Sequence, residues 1–229
     1  MTMDPIERYL DAAILKPETT REEFTGAVKA CLDLNTWSVC VRPCDIAPAQ
    51  ALCGGTETRV CAVLGFPQGV QLPESKADEA RRYVGMGVDE IDMVANYGWA
   101  KSGRWDDVLA DIAGVTAVTK PAGVPLKVIF ETAHLDSDAI RKLVEVCVEA
   151  GADFVKTSTG FNGDGATEED VKLMLETAAG RIKVKPSGGI RDRERAEMFV
   201  AMGVHRLGVG WTSCEAICDG GNEVTGDGY

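Results

Sequence analysis

Short runs of apolar and β-branched residues alternate along the chain with longer amphipathic stretches. Short apolar runs are typical of buried strands and a 3.6-residue spacing is typical of helices, so this order predicts parallel β-α-β units. Eight strands are predicted, at 12–15, 38–41, 59–64, 90–94, 126–130, 154–156, 182–185 and 206–209. Eight helices are predicted after them in turn, at 19–34, 45–52, 73–86, 104–119, 136–150, 167–179, 192–202 and 212–218.

Capping residues support several of these helices. Asp136 and Thr167 stand at N-cap positions before acidic residues, and Pro73 suits the first helical position. Glycines at 87, 151, 180 and 203 each end a helix before the next strand. Similar five-residue phrases at 87–91, 151–155 and 203–207 indicate a weak internal repeat of helix end, turn and strand start.

Eight β-α units in about 210 residues fit a closed (β/α)8 barrel of the α/β class, at the small end of its usual size. An open doubly wound sheet is the competing architecture. The number of units favours the barrel, and no G-x-G-x-x-G motif opens a helix. We therefore expect a single barrel domain over 1–218, followed by a flexible tail at 219–229.

Composition and charge exclude several classes of function. The 229 residues are 45% hydrophobic with a net charge of −12, which disfavours binding to nucleic acid or to anionic membranes. No apolar run is long enough for a membrane span, and the first residues lack a secretory pattern. Eight cysteines without a C-x-x-C pair, beside two histidines, predict free thiols, no metal site and a cytoplasmic location.

Two lysines at the ends of neighbouring predicted strands carry the strongest chemical signal. Lys156 and Lys185 each stand in an apolar run, where an ammonium must find a partner or lose its proton. An ordinary lysine pKa is about 10.4, and we expect burial and the second ammonium to lower the pKa of Lys156. A neutral lysine amine forms Schiff bases with carbonyl substrates. For either lysine alone, a solvated residue without function is the alternative.

Other charged residues are expected inside the barrel with these lysines. Side chains at i and i+2 of a strand share a face, and this rule predicts four interior charged residues, namely Asp92, Lys127, Lys156 and Lys185. Cys40 falls near the end of the second strand, so it is expected beside them. Active sites of such barrels lie at the carboxyl ends of the strands. A purely structural salt-bridge network is the alternative to acid–base chemistry.

Small residues follow the strands where this fold usually binds phosphate. The candidates are Gly160 after the sixth strand, Ser187, Gly188 and Gly189 after the seventh, and Gly208 and Gly210 at the eighth. Glycine lets the backbone N–H groups approach an anion closely. Because any tight turn uses glycine, the position of these residues is what favours a phosphorylated ligand.

Six segments of the chain match the pattern of one known family. They are Leu-Asp-Ala-Ala-Ile-Leu-Lys-Pro (10–17), Val-Leu-Gly-Phe-Pro-Gln-Gly (63–69), Asp-Glu-Ile-Asp-Met-Val-Ala-Asn (89–96), Lys-Val-Ile-Phe-Glu-Thr (127–132), Val-Lys-Thr-Ser-Thr-Gly-Phe (155–161) and Lys-Pro-Ser-Gly-Gly-Ile-Arg (185–191). The last two are highly specific. Through these segments the chain resembles the class I deoxyribose-phosphate aldolases from residue 11 to about 218.

The resemblance implies a role for each of these charged residues. Lys156 would form the Schiff base, and Lys185 would lower its pKa and relay protons. Asp92 would assist proton transfer, and Asp11 would pair with Lys185. From their positions on the predicted strands, Lys127 and Cys40 are expected to be supporting residues. The implied reaction is reversible cleavage of 2-deoxy-D-ribose 5-phosphate to acetaldehyde and glyceraldehyde 3-phosphate, without metal or cofactor. Its partners would be small phosphosugars and aldehydes, and a homodimer is compatible with the sequence.

The chain departs from the family pattern at three places. Ala12 and Ala13 replace a usual His-Thr pair, Pro186 replaces alanine, and the strand-8 end reads Gly-Val-Gly-Trp (208–211) without the usual hydroxyls. Thr212 and Ser213 are the nearest substitutes for those hydroxyls. Two alternatives therefore stay open: a related Schiff-base aldolase or synthase that acts on another phosphosugar or on an unphosphorylated aldehyde, and a non-catalytic sugar-phosphate binding protein.

Overall fold

Eight parallel strands form the centre of the protein in a computed structural model that describes residues 4–220. The strands are β1 (Leu10–Ile14), β2 (Ser38–Val41), β3 (Arg59–Leu64), β4 (Glu90–Val94), β5 (Leu126–Ile129), β6 (Phe154–Lys156), β7 (Lys183–Lys185) and β8 (Leu207–Gly210). Their order in the sheet is β7-β6-β5-β4-β3-β2-β1-β8. A further parallel bridge between Ser187 and Gly208 joins the two outer strands, so the sheet closes. The predicted (β/α)8 barrel is confirmed.

Helices follow the strands and cover the outside of the barrel. They are α1 (Arg21–Asp33), α2 (Ile46–Cys53), α3 (Pro73–Met86), α4 (Tyr97–Lys101), α5 (Trp105–Thr119), α6 (Ser137–Ala150), α7 (Glu168–Ala178), α8 (Arg193–Ala201) and α9 (Cys214–Asp219). Single 3-10 turns lie at Ile6–Tyr9, Pro43–Asp45, Thr132–His134 and Trp211–Ser213. None of the helices within residues 4–220 combines the length and apolar character that crossing a bilayer requires.

Local capping explains where the helices begin and end. The side chains of Asp136 and Thr167 accept hydrogen bonds from the backbone N–H groups three residues later, at 2.8 and 3.0 Å, as the sequence predicts. Gly87 and Gly151 end α3 and α6 in the left-handed conformation. A helix that the pattern did not predict, α4, begins where the Asn96 side chain accepts from the N–H of Trp99 at 3.1 Å.

The apolar residues form two separate groups. Most lie between the outer faces of the strands and the helices. A smaller group lines part of the barrel interior, namely Ala13, Leu15, Cys40, Cys61 and Val63, with Phe66 packed against it. The other interior positions carry most of the buried charged side chains.

The last described helix lies at the expected end of the barrel domain. Asp219 closes α9, so the helical part extends one residue beyond the expected boundary at 218. The remainder of the predicted flexible tail, from 221 to 229, lies outside the described residues. The edges of β1, β5, β7 and β8 also differ by one or two residues from the predicted strands, because the backbone hydrogen bonds of the barrel rather than the apolar pattern fix them.

Candidate active site

A single carboxylate oxygen binds both key lysines. Lys156, at the carboxyl end of β6, lies with its Nζ 2.8 Å from Asp92 Oδ2, and Lys185 Nζ donates to the same oxygen at 2.8 Å. The two strands are paired in register at these lysines, which brings their side chains to one level of the barrel. Lys156 is 2% exposed and Asp92 is fully buried. The three expected catalytic residues therefore lie in direct contact.

The other oxygen of Asp92 binds Lys127, as the shared-face rule predicts. Lys127 Nζ lies 2.7 Å from Asp92 Oδ1, and the Cys61 thiol donates to the same oxygen at 3.2 Å. Burial alone would raise the pKa of Asp92, but the surrounding ammonium groups, Lys127 first, hold it well below its usual range. Asp92 is thus a carboxylate at neutral pH.

Asp11 forms the pair with Lys185 that the resemblance implied. Its Oδ2 lies 2.5 Å from Lys185 Nζ as an ion pair without hydrogen-bond geometry. Its Oδ1 accepts from Ser38 Oγ at 2.7 Å and from Arg206 at 2.8 Å. Burial opposes ionisation of Asp11, yet Arg206 and the nearby lysines lower its pKa strongly.

Beneath this level lies a second layer of charges that sequence reasoning did not assign. Glu90 Oε2 binds Lys127 Nζ at 2.6 Å and the Arg206 guanidinium at 3.2 Å, and Trp37 Nε1 donates to Glu90 Oε1 at 3.0 Å. The Arg206 guanidinium also stacks 4.2 Å from the centre of the Trp37 ring. The signal for Arg206 was its position just before β8 and two residues before Gly208, a spacing that puts both residues on one face.

These contacts join seven buried side chains into one network in the described part of the chain. Its members are the cations Lys127, Lys156, Lys185 and Arg206 and the anions Asp11, Glu90 and Asp92. With every group ionised, the cations exceed the anions by one. Burial lowers the pKa of Lys127, but its carboxylate neighbours, Asp92 first, raise it well above the usual value. The pKa of Arg206 is also raised.

Cys40 lies on the apolar side of the interior, next to Cys61 on the neighbouring strand. A hydrogen bond with Cys61 is the main cause that lowers the pKa of the Cys40 thiol, whereas burial raises that of Cys61 well above its usual value. The two sulfur atoms and an Asp92 oxygen lie within 4.8 Å of one another. Three ammonium groups on Asp92 oppose a metal cation at this position.

Three glycines in the loops at the mouth adopt positive φ values. Gly160, Gly188 and Gly189 have φ values of 83°, 84° and 73°. However, the N–H of Gly188 donates to Gly208 O at 3.3 Å, and that of Gly208 donates to Pro186 O at 2.8 Å. Both N–H groups therefore take part in closing the barrel. This use of the two N–H groups leaves Gly188 and Gly208 less able to donate to a bound phosphate. Phosphate binding by Gly160, Ser187, Gly189 and Gly210 stays a prediction.

Glu131, two residues after the end of β5, is a further site residue to which the sequence analysis gave no role. It is 1% exposed and has φ 57°, a conformation that non-glycine residues rarely adopt. Its carboxylate accepts from the N–H of Thr159 at 2.9 Å and from the Thr159 hydroxyl. Asn162 donates to it at 3.3 Å and to Pro67 O at 2.8 Å. Glu131 thereby fixes the loop that follows Lys156.

Comparison with known proteins agrees with this geometry. The profile of the DeoC/LacD family aldolases matches residues 8–218. The chain belongs to this aldolase family. A protein of Staphylococcus aureus named deoxyribose-phosphate aldolase 1 is 46% identical over 202 residues, which cover 88% of this chain and 91% of that protein. This aldolase therefore shares both its length and nearly half of its aligned residues with that relative.

Solved structures show the same fold. One described as "QR15, an Aldolase" superposes with a TM-score of 0.88 at 39% identity and covers 95% of this chain and 96% of its own. Another, described as a tetrameric deoxyribose phosphate aldolase from Aeropyrum pernix, gives a TM-score of 0.86 at 27% identity, with 93% and 89% covered. The barrel of this aldolase is thus similar to the barrels of relatives that share between 27% and 39% of its sequence.

Proposed function

We propose that this aldolase reversibly cleaves 2-deoxy-D-ribose 5-phosphate to acetaldehyde and D-glyceraldehyde 3-phosphate through a Schiff base on Lys156. The observation that carries the proposal is the placement of Lys156 Nζ, buried at the barrel mouth, on the same Asp92 oxygen as Lys185. An amine nucleophile and a proton carrier within one hydrogen bond are the arrangement that imine chemistry needs.

The network favours a neutral amine at this position. The seven buried groups include four cations and three anions. Loss of one proton from an ammonium group makes the buried network neutral, which lowers the cost of burying it. The raised pKa values of Lys127 and Arg206 keep those two cations charged. Asp92 stays ionised and can accept the proton that an attacking amine releases.

In the proposed cycle, neutral Lys156 adds to the C1 aldehyde, and loss of water gives an iminium. The C2–C3 bond then breaks: the C3 hydroxyl gives up its proton, and the bonding pair moves through C2 to the iminium nitrogen. Glyceraldehyde 3-phosphate leaves, and an enamine remains. Protonation at C2 and hydrolysis release acetaldehyde. Asp92 and Lys185 carry the protons between these steps, because both lie one hydrogen bond from Lys156 or its partner oxygen.

Borohydride trapping tests this proposal. Incubation with acetaldehyde and borohydride should add an ethyl group to Lys156, and peptide mass mapping locates it. Lys156→Met should abolish the adduct, whereas Lys183→Met, which removes an exposed lysine of the neighbouring strand, should leave it unchanged. An ethyl group on a peptide without Lys156, or none at all, would contradict the mechanism and would revive a non-catalytic binding function.

A second candidate substrate class follows from the strand-8 end. Trp211 begins a 3-10 turn directly after Gly210, the Thr212 side chain is exposed, and Ser213 is buried in the same turn. This end of the barrel thus lacks the hydroxyls that the family pattern supplies, which favours an unphosphorylated or a different acceptor aldehyde. The ratio of kcat/KM for 2-deoxyribose 5-phosphate over 2-deoxyribose separates the two, since a phosphosugar enzyme prefers the first.

Assembly and location belong to the same proposal. The eight cysteines at positions 31–218 are all free thiols, which supports a reducing compartment and hence the cytoplasm.

We propose a homodimer as the working assembly, although one structural neighbour is described as tetrameric. Light scattering coupled to gel filtration measures the mass directly, and a monomer or tetramer would contradict the dimer.

A further inference from the structure

A buried ion pair lies outside the barrel, at the end of the strand that carries Asp92. Lys76 on α3 and Asp111 on α5 are both fully buried, and Lys76 Nζ lies 2.5 Å from Asp111 Oδ2. The same ammonium donates to the backbone carbonyl of Val94 at 3.0 Å. Val94 is the last residue of β4 and follows Asp92 by two positions. The pair is therefore attached to the strand from which the Asp92 carboxylate extends.

The loop after β3 packs against both the lysine and this strand end. A β-carbon on Gly65, which has φ 60°, would lie 3.2 Å from Lys76 Cε, so the lysine stem packs directly against the loop. A β-carbon on Gly69, which has φ 70°, would overlap the carbonyl oxygen of Ala95. Both positions have the left-handed backbone that favours glycine. The loop, the lysine stem and the end of β4 thus form one close-packed unit.

An ion pair is a costly way to join two helices. Burial lowers the pKa of Lys76 and raises that of Asp111, so the charged form of each depends on the other. Replacing a buried ion pair by apolar residues of similar volume is often neutral or stabilising. Attachment of α3 to α5 therefore does not by itself account for the pair. An apolar side chain, however, could not donate a hydrogen bond to the carbonyl of Val94.

We propose that Lys76 is a positioning residue for Asp92, an assignment that rests on the function proposed above. By holding the carbonyl of Val94, the Lys76 ammonium fixes the carboxyl end of β4, about 7 Å along the strand from Asp92. The geometry there is demanding, because one Asp92 oxygen accepts from Lys156 and Lys185 at 2.8 Å each. Supporting contacts are needed to keep reacting groups within about 0.5 Å of their productive positions.

Two variants separate the carbonyl contact from the ion pair. Lys76→Met/Asp111→Leu removes the donor to Val94 O without leaving a buried charge, and kcat should fall about tenfold, or about 1.4 kcal/mol in the barrier. Asp111→Asn removes only the partner's charge. A neutral Lys76 amine can still donate to the carbonyl, so kcat should stay within about twofold of wild type. KM should change little in both variants, because neither change removes a substrate contact.

Thr116→Val is the matched control for loss of a buried hydrogen bond. Thr116 lies on α5, as Asp111 does, but its hydroxyl donates to Ala150 O at 2.8 Å, toward α6 rather than β4. This variant should lose stability and keep kcat unchanged. All activities are compared at a temperature at which circular dichroism shows each variant to be folded. Should the double variant not fold, Lys76→Met takes its place in the same comparison.

Deuterium exchange at C2 of acetaldehyde is a readout that a purely structural role would not change. In the proposed cycle the iminium loses a C2 proton to give the enamine, which regains a deuteron from D₂O. Asp92 and Lys185 carry these protons, so exchange depends on the position of Asp92 and does not require cleavage of a C–C bond. NMR should show exchange slowed about tenfold in the double variant and unchanged in Asp111→Asn and Thr116→Val.

Two results would overturn the assignment. One is equal kcat in the double variant and in Asp111→Asn, and the other is wild-type exchange in the double variant. Either would leave the pair with a structural role alone. Ethylation of Lys156 by acetaldehyde and borohydride should persist in every variant. If wild type forms no adduct, the proposed function itself fails, so the two failures are told apart.

Discussion

Replacing Asp92 by asparagine removes the carboxylate on which three ammonium groups converge. The amide keeps the shape of the side chain but loses its charge. The distances from the Asp92 oxygens to Lys127, Lys156 and Lys185 are 2.7, 2.8 and 2.8 Å. At an effective dielectric constant near 20, each contact amounts to about 6 kcal/mol of Coulomb attraction before desolvation is subtracted. With every remaining group ionised, the variant therefore leaves a buried cluster with two excess positive charges.

The net effects are smaller than these gross energies. Breaking a buried ion pair costs about 3–5 kcal/mol of stability, and we expect a loss of this size in Asp92→Asn. The pKa of Asp92 is lowered in the folded protein, so its contribution is present above the unfolded pKa of about 3.9 and is lost as the pH falls through the folded value. The stability difference from wild type should thus be full at pH 7 and should shrink in acid.

Turnover should fall further than stability alone explains. Loss of a positioned acid–base group lowers kcat by about 10²–10⁴-fold, or roughly 3–5 kcal/mol in the barrier. The ethyl adduct on Lys156 should still form with acetaldehyde and borohydride, because the amine remains. The assays are acetaldehyde release, borohydride trapping and urea unfolding at several pH values.

Glu90→Gln is the matched control for charge. It also removes one buried carboxylate and its contact with Lys127, but Glu90 is separated from Lys156 by the other members of the network. We expect a similar loss of stability and less than about a tenfold loss of turnover. Equal loss of turnover in both variants, or near-normal turnover in Asp92→Asn, would show that Asp92 acts only through the overall charge.

Two further variants test other parts of the structure. Lys185→Leu should lower turnover by about 100-fold or more while the protein stays folded, and trapping on Lys156 should persist; unchanged turnover would remove Lys185 from the reaction. Lys76→Met should cost about 3–5 kcal/mol in urea unfolding, because it leaves Asp111 buried without its 2.5 Å partner. Since burial lowers the pKa of Lys76 and raises that of Asp111, the double variant Lys76→Met/Asp111→Leu should regain most of this loss. Additive losses would contradict a coupled pair.

The sequence pattern was sufficient to predict which side chains of each strand face the site. The information came from the two-residue periodicity and from the positions of the strand ends. The two-residue repeat places Lys127 and Asp92 inward on adjacent strands, and their contact at 2.7 Å follows once the strands pair in register. Lys156 and Lys185 follow in the same way from β6 and β7. A parallel barrel brings the ends of such strands together, so sequence order and face were sufficient to place the candidate catalytic residues side by side.

Contacts that depend on closure of the barrel could not be predicted from the periodicity of single strands. Arg206 meets Asp11 and Glu90 across 195 and 116 residues of chain, because β8 pairs with β1 and no local pattern reports that pairing. The same closure engages the N–H groups of Gly188 and Gly208, which local sequence marks only as flexible glycines. Closure therefore both completes the buried charge network and removes two phosphate donors.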